Sequence, residues 1–149
     1  MTKESQTMNM FNACLLHSKA DRALRMAVAR ELEPYGVTMM QWLLLSTVNR
    51  SSGGMRMSEL AVALDVTMPQ ITALMNDLVE RKLAKQKINT TDRRSRRLMV
   101  TSLGKRQIEQ LEPAIDAGMK KWLKDIPAAD LKGYFATVQA MAEQAAKQD

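Results

Sequence analysis

NTTDRRSRRLMVTSLG, residues 89–104, sets four arginines (Arg93, Arg94, Arg96 and Arg97) between a turn-forming Asn-Thr-Thr-Asp and a short β-branched run. Like charges repel, so in isolation such a stretch reads equally well as a solvated loop. Its neighbours decide the matter. LAKQKI (83–88) and RLMVT (97–101) are strand-like, with Ile88, Leu98 and Val100 as β-formers. The polar segment between them therefore closes a hairpin with the arginines at its tip.

Upstream of the hairpin stand two short amphipathic segments. SELAVALD begins at Ser58 and places Leu60, Ala61 and Leu64 on one side, a helix of about two turns. Thr67 followed by Gln70 is a capping box, with Pro69 tolerated in the first turn, so the next helix runs to about Arg81. Neither helix is long enough to stand alone in water, so they must pack on each other. The result is a helix-turn-helix. Ile71, Leu74, Met75 and Leu78 fall at the spacing of a core face, which turns Gln70, Thr72, Ala73, Asn76 and Asp77 outward. Gln and Asn can bond adenine, and Thr or Ala can meet a thymine methyl, so this face has the chemistry of base readout. Taken alone, such residues more often describe a plain solvated helix face.

The hairpin changes that balance. A helix-turn-helix followed directly by a basic hairpin is a winged helix, in which the helix enters one groove and the wing reaches the backbone or the neighbouring minor groove. Arginine suits both tasks, because its planar fork holds phosphate and a narrow minor groove concentrates negative potential. Between Arg81 and Arg106 ten basic residues stand against one acid, Asp92, a net of +9 that leaves −3 for the rest of a chain whose total is +6. So focused a field calls for a polyanion, and double-stranded DNA is the usual one. A heparin-like or membrane-surface ligand is the other possibility.

The flanks are helical. Met8, Phe11, Leu15, Leu24, Val28 and Leu32 mark one long first helix, ended by EPYGVT (33–38). Thr38 with Gln41 then caps a second helix through MMQWLLLSTVNR, and SSGG (51–54) forces a loop. After Thr101 the pattern is helical through Leu103, Ile108, Leu111, Ile115, Trp122 and Leu123, with Pro113 expected to kink or split it. IPAAD (126–130) breaks it again before a last helix carrying Leu131, Tyr134, Phe135, Val138, Met141 and Ala145. Terminal helices with this much apolar surface suggest an interface with a second copy. The expected fold is mainly α with a small β-hairpin wing: a winged helix-turn-helix lobe over 35–102 and a helical dimerisation region from 1–34 and 103–149, intertwined as one domain.

At 149 residues and 46% apolar content the chain can bury a sizeable core. No apolar run approaches the ~20 residues a bilayer crossing requires, the N-terminus lacks a secretory pattern, and one cysteine offers no intramolecular disulfide, so a cytoplasmic location is expected. An enzyme reading fares poorly. There is one His and one Cys, with no Gly-rich phosphate loop and no carboxylate pair on an apolar background. Cys14 and His17 could share a helix face, and two copies near an axis would supply four zinc-type ligands, but a lone His is far more often a plain surface or core residue. No metal or cofactor is expected. Met39, Met40, Met57, Met68 and Met75 suit either an adaptable pocket or an ordinary core. An RNA-binding or protein-interaction module of the same fold is the alternative class. Single-strand readers lean on exposed aromatics, which are only 4% here.

Over nearly its whole length the chain resembles the multiple-antibiotic-resistance regulators (MarR), dimeric winged-helix transcription factors. The most specific match is TDRRSRRLMVTSLG, with Asp92 and Arg94 as the family's wing Asp-x-Arg and Thr101 and Gly104 as its Thr and following Gly. VTMMQWLLL, MSELAVALDV and ITALMNDLVERKLA are similar to its second, third and recognition helices. The resemblance implies major-groove contacts from Thr67, Gln70, Thr72, Ala73 and Asn76. It implies a wing formed by Thr91, Asp92, Arg93, Arg94 and Arg96, with Asp92 as brace and the arginines in the minor groove. It further implies interleaved terminal helices in a homodimer, an inverted-repeat operator with half-sites about one DNA turn apart, and release, most simply of a repressor, by a small aromatic or anionic effector. Cys14 sits near the start of the first helix, resembling the reactive cysteine of the peroxide-sensing branch. The assisting tyrosines have no counterparts, and a buried, inert Cys14 is the expectation. The chain departs from the family at Asp77, where a basic residue is common, and at Lys82, where a glycine is usual; strain is expected there. Arg94→Ala should weaken binding to all duplexes, whereas Gln70→Ala should mainly blur sequence preference.

Overall fold

A computed structural model describes residues 9–89 and 92–148. In chain order the elements are α1 (Met10–Leu32), a 3-10 turn (Glu33–Tyr35), α2 (Met39–Asn49), β1 (Met55–Arg56), α3 (Met57–Leu64), α4 (Met68–Glu80), β2 (Ala84–Asn89), β3 (Asp92–Val100), α5 (Ser102–Trp122) and α6 (Ala128–Ala146). The strands form one antiparallel sheet in the order β1-β3-β2. Strand β1 is absent from the sequence reading, because two residues wedged between a glycine turn and a helix carry no alternation.

Local chemistry sets the helix starts. The Thr38 and Thr67 side chains each accept the backbone N–H three residues on, while Gln41 and Gln70 reach back to the cap N–H, both at 2.9 Å. These are the two capping boxes the spacing predicts. Thr101 caps α5, accepting from the Gly104 N–H at 3.0 Å and donating to the Lys82 carbonyl at 2.7 Å. Gly104 is needed for packing as well, since a Cβ there would lie 2.1 Å from the Leu83 carbonyl oxygen. Thr101 and Gly104 thus fasten the start of α5 to the Lys82–Leu83 turn that follows α4.

Helix ends are less conventional. Lys82 adopts φ 60°, and the Leu83 N–H reaches the Leu78 carbonyl at 2.9 Å while the Lys82 N–H reaches Val79 at 3.0 Å. This is a Schellman cap with lysine where glycine is usual, so the strain expected at Lys82 is present. Asp65 plays the same part at the turn between α3 and α4, with φ 52°. Aspartate tolerates the left-handed region better than most side chains, which lets a turn without glycine join the two helices.

Two apolar clusters organise the molecule. One joins Leu44, Leu45 and Val48 of α2 to Leu60, Ile71, Met75, Leu78, Leu98 and Ile108, and fills the winged-helix lobe. The other packs Val28 and Leu32 of α1 on Leu111 and Ile115 of α5, with Met39 and Trp42 of α2 beside them. Helix α2 is apolar around most of its circumference, and it therefore serves both clusters. Between the clusters, Gln107 donates to the Tyr35 carbonyl at 2.9 Å and Ser46 donates to Glu112 at 2.7 Å. Helix α5 runs unbroken through Pro113, so the proline does not split it.

The terminal helices are left largely uncovered. Phe11 is 75% exposed, Phe135 is 63% exposed, and α6 has no buried residue. Cys14 is exposed in the single chain, against the expectation of a buried thiol: almost all of the first half of α1 is left uncovered by the rest of the chain. Among the described residues no helix is long and apolar enough to cross a membrane, and no cluster of three or more His, Cys, Asp or Glu could hold a metal ion.

Candidate nucleic-acid interface

Helix α4 buries Ile71, Met75 and Leu78, and this fixes what it offers outward. Thr67, Gln70, Thr72, Ala73 and Asn76 are all exposed, as the helical spacing predicts. Three of them have internal partners as well. Thr67 and Gln70 serve the cap of their own helix, and the Thr72 hydroxyl donates to the Met68 carbonyl at 2.9 Å. Asn76 and Ala73 carry no such bond among the described residues. Met68, which the sequence reading assigns to an adaptable pocket or an ordinary core, is instead 46% exposed at the first position of α4 and adds an apolar tip beside Thr67. Its position before the core spacing begins was the available signal.

Asp77 does not point away with the others. It is half-buried, and its carboxylate accepts from the Gln41 side-chain amide, while Arg81 donates to the Gln41 carbonyl oxygen at 3.4 Å. An acid where the family commonly carries a base is thereby explained: it holds the start of α2 instead of facing a phosphate. Helical spacing alone could not show this, because the partner is 36 residues away in the chain.

The wing differs from the expected hairpin in where its arginines lie. Strand β3 begins at Asp92, so Arg93, Arg94, Arg96 and Arg97 belong to the strand and not to the tip. The register passes from Ile88 opposite Arg96 to Asn89 opposite Asp92, so Arg93, Arg94 and Ser95 form an unpaired excursion of the backbone. Bulged segments of this kind bend and twist a strand and re-aim its residues. Thr91 lies outside the described residues. Arg96 is exposed, whereas Arg97 is half-buried and donates to the Gly54 carbonyl at 3.4 Å, tying β3 to the turn before β1.

Strand register also reveals a row that the sequence hides. Arg97 stands opposite Lys87 on one side and Arg56 on the other, and Lys85 opposite Met99 follows on the same face. Cross-strand partners share a face, and like charges directly opposite are unfavourable. A polyanion laid near this face relieves that repulsion, so the sheet adds to the basic character of the wing.

The comparisons with known proteins agree with this geometry. Residues 35–95, the lobe from the turn before α2 into β3, match the MarR family. A MarR-family transcriptional regulator from Rhodococcus sp. RHA1 has a TM-score of 0.83 at 21% identity, over 92% of this chain and 96% of that one. CouR from Rhodococcus jostii RHA1, solved with p-coumaroyl-CoA, has a TM-score of 0.76 at 24% identity, covering 85% and 89%. MepR of S. aureus, solved as a DNA complex, has a TM-score of 0.78 at 18% identity, covering 88% and 96%.

Proposed function

From the premise that this chain is a MarR-type winged-helix protein, in the sequence of its lobe and in its fold along nearly the whole length, we propose that it is a homodimeric, sequence-specific regulator of transcription that binds double-stranded DNA. The observation that carries the reading is the pairing of an exposed polar face on α4 with a basic, bulged β3 strand on one rigid lobe. Asn76, Ala73, Thr72, Gln70 and Thr67 read the major groove. Arg93, Arg94 and Arg96 follow the backbone into the minor groove, with Asp92 as brace and Thr91 as a further contact of the wing.

The second copy covers the faces that one chain leaves open. Trp122, Ile126, Tyr134 and Phe135 line a hollow of about 390 Å³ with Leu24 between α1, α5 and α6, and its lining is almost wholly apolar. Exposed apolar surface on this scale marks an interface. Two copies joined there place two α4 helices on an inverted repeat. As a repressor, such a dimer leaves its operator when an effector favours another spacing of the two lobes.

An open depression of about 570 Å³ at the α1–α2 junction supports the reading of an effector site there. Arg30 offers a charge for a carboxylate, Glu33 lines the site as well and limits the net charge it presents, and Met26 and Met39 give it an adaptable apolar wall. The Trp42 indole N–H, buried without an acceptor in the adjoining cluster, is a spare donor at the same junction. Thr38 leads from the cavity to Gln41, and Gln41 to Asp77 and Arg81 on the recognition helix and its cap. The binding role is preferred to a catalytic one on the site's own chemistry. Oxidation at exposed Cys14 is the second reading, favoured by its access to solvent. The experiment that tests the proposal is the molar mass in solution, alone and on a selected duplex. Two chains per duplex are expected; a single chain bound, or none, overturns it.

A further inference from the structure

A second cavity, of about 330 Å³, lies on the far side of α2 from the α1–α2 junction, between the turn after α2 and the start of α5. Its charged lining residues are Arg50 and Lys105, and no carboxylate is among the residues that line it. The Ser51 hydroxyl and N–H already donate to the Gly54 and Val48 carbonyls, so the further donors are the Ser52 hydroxyl and the Ser52 and Gly53 backbone N–H groups, and Val48 with Met99 supplies an apolar wall. The turn is held open by Gly53 and Gly54, at φ 82° and 80°. Gly54 is demanded by packing, since a Cβ there would meet the Leu98 carbonyl oxygen at 2.6 Å, whereas a Cβ at Gly53 would meet nothing within 4 Å. Gly53 thus leaves room beside the cations that no neighbour fills.

Two independent features point to an anion. Met99, which lines the cavity, stands in register with Lys85 and on the same face as the Arg56–Arg97–Lys87 row, so the cavity adjoins a basic face of the sheet. Arg50, moreover, is held by little else: its guanidinium lies 3.3 Å from Glu112 with its side chain 66% exposed. A pair this exposed is weak, and the guanidinium is free to turn toward a better acceptor. Glu112 keeps its 2.7 Å bond from Ser46 whichever way Arg50 turns.

We propose that this cavity is an oxyanion site, in which Arg50 and Lys105 clamp a phosphate or phosphate ester and Ser52 and Gly53 supply further donors. Guanidinium and ammonium side chains together offer both a forked and a point-charge contact to phosphate. Occupation draws Arg50 from Glu112 and so loosens one of the polar ties between the lobe and α5. The phosphate comes either from a free small molecule or from the backbone of bound DNA.

The test is a titration of the amide NMR spectrum of the full-length protein with inorganic phosphate and with phenyl phosphate, at constant ionic strength, in the wild type, Arg50→Gln and Lys105→Gln. Saturable shifts confined to Asn49, Ser52, Gly53 and Lys105 are expected. Each substitution should weaken binding by about 5-fold or more, as the loss of one partly exposed charged contact of about 1 kcal/mol implies. Shifts that never saturate, that spread along Lys85 and Lys87, or that survive both substitutions overturn the site. Adding duplex assigns the source. If bound DNA abolishes the phosphate shifts and Arg50→Gln lowers the salt dependence of DNA affinity by about one ion, the backbone fills the site; if the shifts persist on DNA, a free ligand does. Because the phosphate titration needs no DNA, it stands apart from the success of the proposed regulatory role.

Discussion

The Gln41 side-chain amide donates to the Asp77 carboxylate, tying the first turn of α2 to the C-terminal half of α4. The same Gln41 oxygen serves the Thr38 cap at 2.9 Å and meets Arg81 at 3.4 Å. One side chain therefore sets the distance between the α1–α2 junction and α4. A buried bond to a charged acceptor contributes about 1.5–3 kcal/mol, and the half-exposure of Asp77 reduces this to about 1. Asp77→Ala should lower the melting temperature by about 2–5 °C, and Asp77→Asn, which keeps an acceptor, should recover about half of that loss. Equal melting of both variants with the wild type would remove the tie from the account.

Lys82 offers a prediction of opposite sign. A lysine held at φ 60° costs roughly 1–2 kcal/mol relative to a relaxed backbone, while glycine gives back about 0.5–1 through the unfolded chain. Lys82→Gly should raise stability by about 0.5–1 kcal/mol in a denaturant melt. A loss of stability would mean that the lysine stem supports the cap in some way its backbone does not reveal.

Two glycines separate close packing from helix propensity. Gly104→Ala forces a methyl toward the Leu83 carbonyl and should destabilise by about 2–3 kcal/mol or shift the whole root of the wing. Gly133→Ala, inside α6 with nothing within 4 Å of the new carbon, should instead gain up to about 1 kcal/mol. Similar melting curves for the two variants would contradict the packing described around Thr101 and Gly104.

On DNA the candidate contacts divide by role. Asn76→Ala should cost about 1–3 kcal/mol on the preferred duplex and little on random sequence, because its amide has no internal duty among the described residues. Gln70→Ala is a poorer probe than its exposure suggests, since it also removes the capping box of α4. Arg94→Ala should weaken specific and random duplexes alike. Arg97→Ala should act chiefly on stability, through the Gly54 carbonyl. Loss of affinity at Arg97 with none at Arg94 would reverse the assignment of the wing.

Much of this was legible in the chain because it rests on local rules. Thr38–Gln41 and Thr67–Gln70 announce helix starts whatever surrounds them, and the spacing from Ile71 to Leu78 shows which side of α4 is buried. Strand β1, the Asp77–Gln41 bond and the Arg56–Arg97–Lys87 row arise between residues far apart in sequence, where no periodicity reports them. The turn-forming Asn-Thr-Thr-Asp ahead of the arginines predicts that they lie at a tip; the bulge that takes Arg93 and Arg94, with Ser95, into the strand leaves no mark in composition. Cys14 was expected to be buried for the converse reason. Helical spacing shows that a face is apolar, not whether its own chain covers it.

The most direct test of the regulatory role is selection from a pool of random duplexes by the full-length protein, followed by a salt titration on the enriched sequence. An inverted repeat with half-sites about one DNA turn apart, bound with an affinity that falls steeply as roughly six to ten neutralised phosphates require, is the predicted result. Enrichment of no sequence, with binding equal on every duplex, would contradict it and leave α4 as a solvated face beside a general polyanion-binding wing.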